Sequence, residues 1–383
     1  DLVVVGPPDW LDTPEVGENF MHLMAAADTE FDTVQTMPDD TAVLLYTSGT
    51  TGAPKGAALT HFNMFFNAFY TSQEITKTKP GEVVLVTLPL FHSFGQTCLM
   101  NASVLSGATM SMLPRFETQK AMELIARDKV SLIAMVPTMY FFFLNMPDWE
   151  QYEFSSLRLA VSGGAALPED VHRRFQERYG ITILEGYGLS ETSPVASFTL
   201  EGWEVRPGSI GRPIWGVDMR VMREDGSFAG VDEVGEVVMR GHNVMKGYYK
   251  RPEATESVMV HGWFHTGDVG RVDADGYFYI VDRKKDLIIR GGMNIYPREI
   301  EEVVYQHPKV LEVAVVGVPD PMRGEEVKLF VSPREDAELD PQEIRDFVSE
   351  RMAKYKWPKF IEVLDELPKG PTGKILKREL RAM

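Results

Sequence analysis

Apolar positions in this chain fall into short continuous runs that alternate with stretches of helical spacing. Residues 42–46, 82–89, 130–136, 157–161 and 181–184 are of strand length. Their near-continuous hydrophobicity suits strands covered on both faces. Between them, residues 117–128 carry apolar side chains at 121, 122, 124 and 125, which is one buried helix face. Val171, Phe175 and Tyr179 fall at i, i+4 and i+8 of a further helix. Pro168 stands near its first turn, Glu169 and Asp170 suit its positive end, and Gly180 is a natural stop. Residues 61–67 begin another helix-like pattern. Strand–helix–strand repeats of this kind predict an α/β fold, a parallel sheet with helices on its faces.

The texture changes near residue 208. Runs 217–222 and 235–240 alternate apolar with polar, and Asp225-Gly226 and Asp275-Gly276 are hairpin signals. An antiparallel region resembling a small β-barrel is expected over about 208–282. A second change follows the charge run Asp282-Arg283-Lys284-Lys285-Asp286, beyond which a small α+β unit is expected. Its first helix starts after Pro297, its strand covers 312–318, and Asp340-Pro341 opens its second helix. The division is therefore a large domain over 1–284 and a smaller one over 285–383. Residues 1–40 read as one strand and then an acidic, proline-bearing connection around the surface. Phe141-Phe142-Phe143 fits core or the lining of an apolar tunnel, and the pattern leaves both open.

Composition narrows the field. A chain of 383 residues with 44% hydrophobic and 25% charged content is globular and long enough for two or three domains. A net charge of −17 argues against a nucleic-acid surface, though not against a nucleotide bound locally. One cysteine, Cys98, excludes an intrachain disulfide and points to a reducing, cytoplasmic setting. The most apolar run, 132–146, contains Pro137 and is too short to span a bilayer. Because the first residue is Asp1 and residues 1–6 read like an interior strand, the chain is expected to lack an N-terminal portion.

The densest candidate chemistry is Tyr46-Thr47-Ser48-Gly49-Thr50-Thr51-Gly52-Ala53-Pro54-Lys55-Gly56. Glycines let a backbone approach an anion, hydroxyls add donors and Lys55 adds a full charge. The Walker pattern is absent, since Pro54 precedes the lysine and no Ser or Thr follows it. A polar surface turn is the competing reading of the loop alone. His92, just after the 82–89 run, stands where open α/β sheets place ligands.

Five segments in order resemble the adenylate-forming superfamily of acyl-CoA synthetases, peptide-synthetase adenylation domains and beetle luciferases. They are the 46–56 loop, Gly186-Tyr187-Gly188-Leu189-Ser190-Glu191-Thr192, Thr266-Gly267-Asp268, residues 279–286, and the 368–374 tail. Within that superfamily the chain looks most like a bacterial long- or medium-chain fatty-acyl-CoA ligase. The resemblance implies two steps: ATP and a carboxylic acid give acyl-adenylate and pyrophosphate, then CoA displaces AMP. It also implies roles. Thr47, Ser48, Gly49, Thr50, Thr51 and Lys55 would hold the β- and γ-phosphates, Ser190 the α-phosphate, and Glu191 a Mg²⁺ ion. Gly186, Tyr187 and Gly188 would meet the nucleotide, with Tyr187 stacked on the purine. Gly164 and Ala165 would wall the adenine. Asp268 would bind the ribose beside Ile280 and Arg283. His92 would stand at the carboxylate end of the acyl pocket. Lys374 would bridge acyl carboxylate and α-phosphate. Lys285 would be the hinge of a mobile C-terminal domain, and Gly291 and Gly292 would line the CoA channel. A homodimer and peripheral membrane contact are left open.

Three rivals remain. An amino-acid-activating domain is disfavoured because His92 stands where such domains commonly carry an aspartate. An aryl-CoA ligase or an adenylating enzyme with another acceptor differs only in pocket residues outside the motifs. A non-catalytic nucleotide-binding protein predicts loss of Lys374, Glu191 or Asp268, and all three are present.

Overall fold

The near-continuous apolar runs become the centre of a seven-stranded sheet. Its spatial order is Arg212–Pro213, Val195–Phe198, Ile183–Gly188, Leu159–Ser162, Leu132–Met135, Val83–Val86 and Thr109–Met112. The computed structural model describes residues 3–4, 18–47, 54–334, 337–370 and 373–383. The five strands from Ile183–Gly188 to Thr109–Met112 are parallel, so their carboxyl ends share one edge. Val195–Phe198 and Arg212–Pro213 extend the sheet antiparallel. Leu85, Ile133, Ala160 and Ile183 are wholly buried, as expected of strands covered on both faces. Helix Thr118–Asp128 turns Ala121, Met122 and Ile125 inward, and helix Glu169–Tyr179 ends at left-handed Gly180. Loop segments at the carboxyl edge of such a sheet are where an α/β fold offers a ligand site.

Helix His61–Tyr70 starts with a reciprocal cap, Asn63 N–H to Thr60 Oγ1 and Thr60 N–H to Asn63 Oδ1. It is pinned to the sheet by buried Asn67. That side chain donates to the Val195 carbonyl at 2.9 Å and accepts from the Val195 N–H at 3.1 Å. Strands Thr41–Thr47, Lys55–Thr60 and Gly247–Tyr248 form a small antiparallel sheet.

Past residue 208 the alternating runs form an antiparallel sheet, but among the described residues no strand pairing closes it into the barrel that was expected. It comprises Val217–Met222, Gly235–Gly241, Trp263–Val272, Met259–Val260 and Phe278–Arg283. Asp275-Gly276 turns the last hairpin, with Gly276 at φ +83°. The C-terminal region has a sheet of Met293–Ile295, Ile288–Arg290, Gly324–Pro333, Val310–Asp320 and Phe360–Val363. Helices Pro297–Tyr305 and Pro341–Ser349 accompany it, the second capped by Asp340 accepting from the Gln342 N–H. The apolar interior is correspondingly separate. One cluster runs from Leu45 to Phe278, and two smaller ones draw on Ile288 to Leu380.

Packing divides the chain into Asp1–Pro38 and Asp39–Met383. Within the first unit, Val3–Val4 pairs with Glu18–Asn19 in parallel. The surface connection expected there contains a helix, Phe20–Ala26, capped by Asn19. It buries none of its residues, although Phe20, Leu23 and Met24 fall at i, i+3 and i+4. Among the described residues no helix is long and apolar enough to cross a membrane.

Candidate active site

Thr47 lies opposite Lys55 where their strands pair, and its Oγ1 donates to the Lys55 carbonyl at 3.4 Å. Ser48, Gly49, Thr50 and Thr51, all expected phosphate contacts, lie outside the described residues. The other neighbour of the Lys55 strand carries Tyr248, and the Lys55 ammonium stands 5.1 Å from the centre of that ring. The Tyr248 hydroxyl donates to Glu191 Oε1 at 2.8 Å. The Glu191 carbonyl accepts the Met245 N–H at 2.9 Å. Burial and the Glu191 charge hold the Tyr248 phenol protonated, well above its usual range.

Gly186 and Gly188 have a packing cause. A Cβ on Gly186 would lie 2.1 Å from the Phe198 ring, and one on Gly188 2.1 Å from the Pro194 carbonyl oxygen. Only glycine lets the returning Val195–Phe198 strand approach so closely. Tyr187 between them donates its hydroxyl to Asp268 Oδ2 at 2.5 Å. Asp268 is buried and pairs with Arg283 Nε at 3.1 Å across the antiparallel strands. The turn before it is fixed from behind. The Gly267 N–H donates to Glu236 Oε1 at 3.1 Å, and the Asp268 N–H to Thr266 Oγ1 at 3.0 Å. The Ile280 carbonyl accepts from Arg298 of the C-terminal region.

The tail reaches the same place. Gly370 N–H donates to the Lys374 carbonyl at 2.8 Å and Gly373 N–H to the Gly370 carbonyl at 2.9 Å. Gly373, at φ +78°, has its open side 3.6 Å from Val136, and Gly164, at φ +81°, faces the same residue at 3.5 Å. Val136 follows the Leu132–Met135 strand, at the carboxyl edge of the parallel sheet. Crowding by protein pushes the Lys374 ammonium down to about 8, with Arg283 and Lys285 adding to the fall while Asp268 and Asp286 oppose it. Lys374 keeps a solvent-exposed surface. Burial also lowers His92, helped by the Lys374 charge. His92 Nδ1 accepts the Phe94 N–H at 3.2 Å, which leaves the proton of the neutral ring on Nε2. Lys285 is lowered by burial and by Arg283. His92, Asp268, Arg283, Lys285 and Lys374, spread over most of the chain, thus lie close enough to feel one another's charge.

Comparison with known proteins places the chain in a family. The AMP-binding enzyme profile matches residues 6–249, and the AMP-binding enzyme C-terminal domain profile matches 299–374. The chain belongs to the AMP-binding enzyme family. It is 45% identical over 343 residues to the long-chain-fatty-acid–CoA ligase of Bacillus subtilis, covering 89% of this chain and 61% of that protein. The feruloyl-CoA synthase of an Amycolatopsis species is 42% identical over 360 residues, 93% of this chain and 72% of that one. Among solved structures, ATP-bound MatB from Rhodopseudomonas palustris superimposes with a TM-score of 0.88 at 35% identity, covering 94% and 72% of the two chains.

In this member of the family Gly291 and Gly292 are both exposed with positive φ. Gly291 lines a cavity of about 690 Å³, together with Arg290, Arg323, Arg345, Lys354 and Lys359. Sequence reading missed that basic face, and it missed Tyr248 and Glu236 because their partners are remote in sequence. It also missed Glu185, a buried carboxyl pushed up to about 7 by burial despite the opposing charge of Arg298. Among the described residues no group of three or more His, Cys, Asp or Glu could hold a metal by itself. A lone carboxylate such as Glu191 fits a Mg²⁺ ion whose other ligands are substrate phosphates and water.

Proposed function

We propose that the enzyme activates a carboxylic acid with ATP and passes the acyl group to CoA. The observation that carries this reading is the convergence of Lys374 with Asp268, Arg283 and His92. A carboxylate and a triphosphate repel each other, so their reaction needs cations and donors fixed beforehand. An acid oxygen attacks the α-phosphorus, the bond to pyrophosphate breaks, and acyl-adenylate forms. Lys374 stabilises the charge on carboxylate and α-phosphate. Asp268 takes the ribose hydroxyls with Arg283 holding it in place, Tyr187 meets the purine, and Gly164 and Ala165 flank it. Thr47 and Lys55, with the loop between them, and Ser190 hold the phosphates. Glu191 would hold Mg²⁺, which neutralises phosphate charge when bound. In the second step the CoA sulfur attacks the acyl carbon and AMP leaves.

The separate apolar cores on either side of Lys285 support a boundary at 284/285 and a C-terminal domain that turns about it. Such a turn withdraws Lys374 and brings the Gly291-Gly292 loop forward. The adjoining face with Arg290, Arg323, Arg345, Lys354 and Lys359 suits the phosphates of CoA. A fatty acid is the favoured substrate class, by the 45% identity to a long-chain ligase, and the cytoplasm the favoured setting. An aryl acid is the second reading, on the 42% identity to feruloyl-CoA synthase. Pyrophosphate release measured over fatty and aryl acids, with and without CoA, tests the proposal. Acid-dependent release that gives thioester only with CoA is expected. Release that CoA leaves unchanged, with adenylate as end product, would reject the CoA step.

A further inference from the structure

Tyr248 touches two groups that the proposed chemistry needs, and it does so with two different parts of its side chain. Its hydroxyl holds Glu191 Oε1 at 2.8 Å. Its ring lies beneath the Lys55 ammonium at 5.1 Å. The tyrosine is itself fixed. Its strand pairs with the Lys55 strand, Tyr248 opposite Ala57, and its N–H donates to Thr255 Oγ1 at 2.8 Å. The neighbouring backbone is tied to both sides as well, Met245 N–H to the Glu191 carbonyl and Tyr249 N–H to that of Gly56. Glu191 and Lys55 come from distant parts of the sequence, and neither hydrogen-bonds the other.

We propose that Tyr248 is a positioning residue for the metal–nucleotide complex, setting Glu191 for the cation and Lys55 for the phosphates. This rests on the function proposed above. Holding Oε1 by a hydrogen bond stops the carboxylate from rotating and leaves Oε2 to face a cation. Monodentate presentation of this kind suits a small ion that keeps most of its water. The ring meanwhile restrains a lysine that would otherwise sweep through solvent. One rigid aromatic thus fixes the spacing between a cationic side chain and a metal carboxylate, which a triphosphate must match.

The test uses metal binding without turnover. Mn²⁺ uptake is followed by the electron paramagnetic resonance signal of the free ion, in the presence of an ATP analogue with a methylene between the α- and β-phosphorus. Tyr248→Phe keeps the ring and loses the hydroxyl. It should bind Mn²⁺ roughly ten- to a hundredfold more weakly, the range for losing a hydrogen bond to a charged acceptor. Tyr248→Leu should in addition weaken binding of the analogue without metal, because Lys55 loses its support. Glu191→Gln should weaken Mn²⁺ uptake, and adding Tyr248→Phe to it should cost nothing further. Tyr249→Phe is the control expected to match the unaltered enzyme, and thermal melting of each unliganded variant tests for a merely structural effect. Uptake by Tyr248→Phe equal to that of the unaltered protein would overturn the inference, as would an equal loss in the Glu191→Gln background. Failure of the unaltered enzyme to take up Mn²⁺ with the analogue would instead strike the functional reading and this inference with it.

Discussion

Raising the pH should switch off adenylation from the nucleotide-free side by discharging Lys374. Crowding holds that ammonium down to about 8, aided by Arg283 and Lys285 and opposed by Asp268 and Asp286. The sign follows from the charge type: a lowered amine loses its proton earlier as pH rises. With a midpoint near 8, about nine in ten copies are charged at pH 7 and about one in ten at pH 9. Solvent reaching the exposed part of Lys374 screens its neighbours, so the midpoint lies at that value or above it, not below. kcat/KM for ATP reports groups of the free enzyme, and it should fall about tenfold per pH unit beyond the midpoint. Bound triphosphate favours the charged lysine, so the alkaline limb of kcat should lie at higher pH than that of kcat/KM. Pyrophosphate release without CoA isolates this step from ionisation of the CoA thiol. Lys374→Arg keeps a charge that cannot be titrated there, so it should be slower but lack the alkaline limb. A kcat/KM that stays level to pH 10, or a limb unchanged in Lys374→Arg, would refute the assignment.

Two further expectations concern stability. Asn67→Ala leaves the buried Val195 N–H without its partner, while the Val195 carbonyl keeps Asn243 Nδ2 at 3.1 Å, and should cost about 1–3 kcal/mol in denaturant unfolding, against the few tenths expected of an exposed site; a loss below 1 kcal/mol would mean that the helix is held to the sheet by apolar packing alone. Glu185 has its carboxyl raised to about 7 in the fold, so the native state holds a proton that the unfolded chain releases near pH 4.5, and stability drains away between those values as pH rises. Glu185→Gln should therefore be the more stable form at pH 8, by up to about 3 kcal/mol, with the gap closing near pH 5; a gap that does not vary with pH would contradict the cause given.

Much of this molecule could be read from its sequence for a definite reason. Strands such as Leu132–Met135 and Leu159–Ser162 are covered on both sides, so every side chain but that of Ser162 is apolar and the run needs no tertiary knowledge to interpret. Gly180 and Asp340 end and begin helices by local chemistry, and both do so in the structure. Helix Phe20–Ala26 escaped because its apolar spacing, Phe20, Leu23 and Met24, covers only seven residues inside a polar, acidic stretch. Gly186 and Gly188 were expected at the nucleotide, but the demand for glycine comes from Phe198 and Pro194, whose closeness no local pattern announces. Tyr248 and Glu236 were invisible for a similar reason. Their partners lie 57 and 31 residues away, so their functions exist only in the folded arrangement.

On the function proposed above, that arrangement also explains how a strongly acidic chain presents a site for polyanions. Net charge, −17 here, governs long-range behaviour, whereas binding depends on which charges remain uncompensated within a few ångströms. The two carboxylates that attract Lys374 are already engaged. Asp268 accepts from Tyr187 and pairs with Arg283, and Asp286 pairs with Arg381. Their attraction is therefore too weak to offset crowding plus the repulsion of Arg283 and Lys285, and the lysine's proton is loosened. The same imbalance is what an incoming phosphate corrects. An anion placed there relieves repulsion among three cations at once, and the gain is largest where negative charge accumulates most, between a reacting carboxylate and an α-phosphate. The lowered lysine is thus the resting-state mark of a site organised around a charge that only the substrate brings.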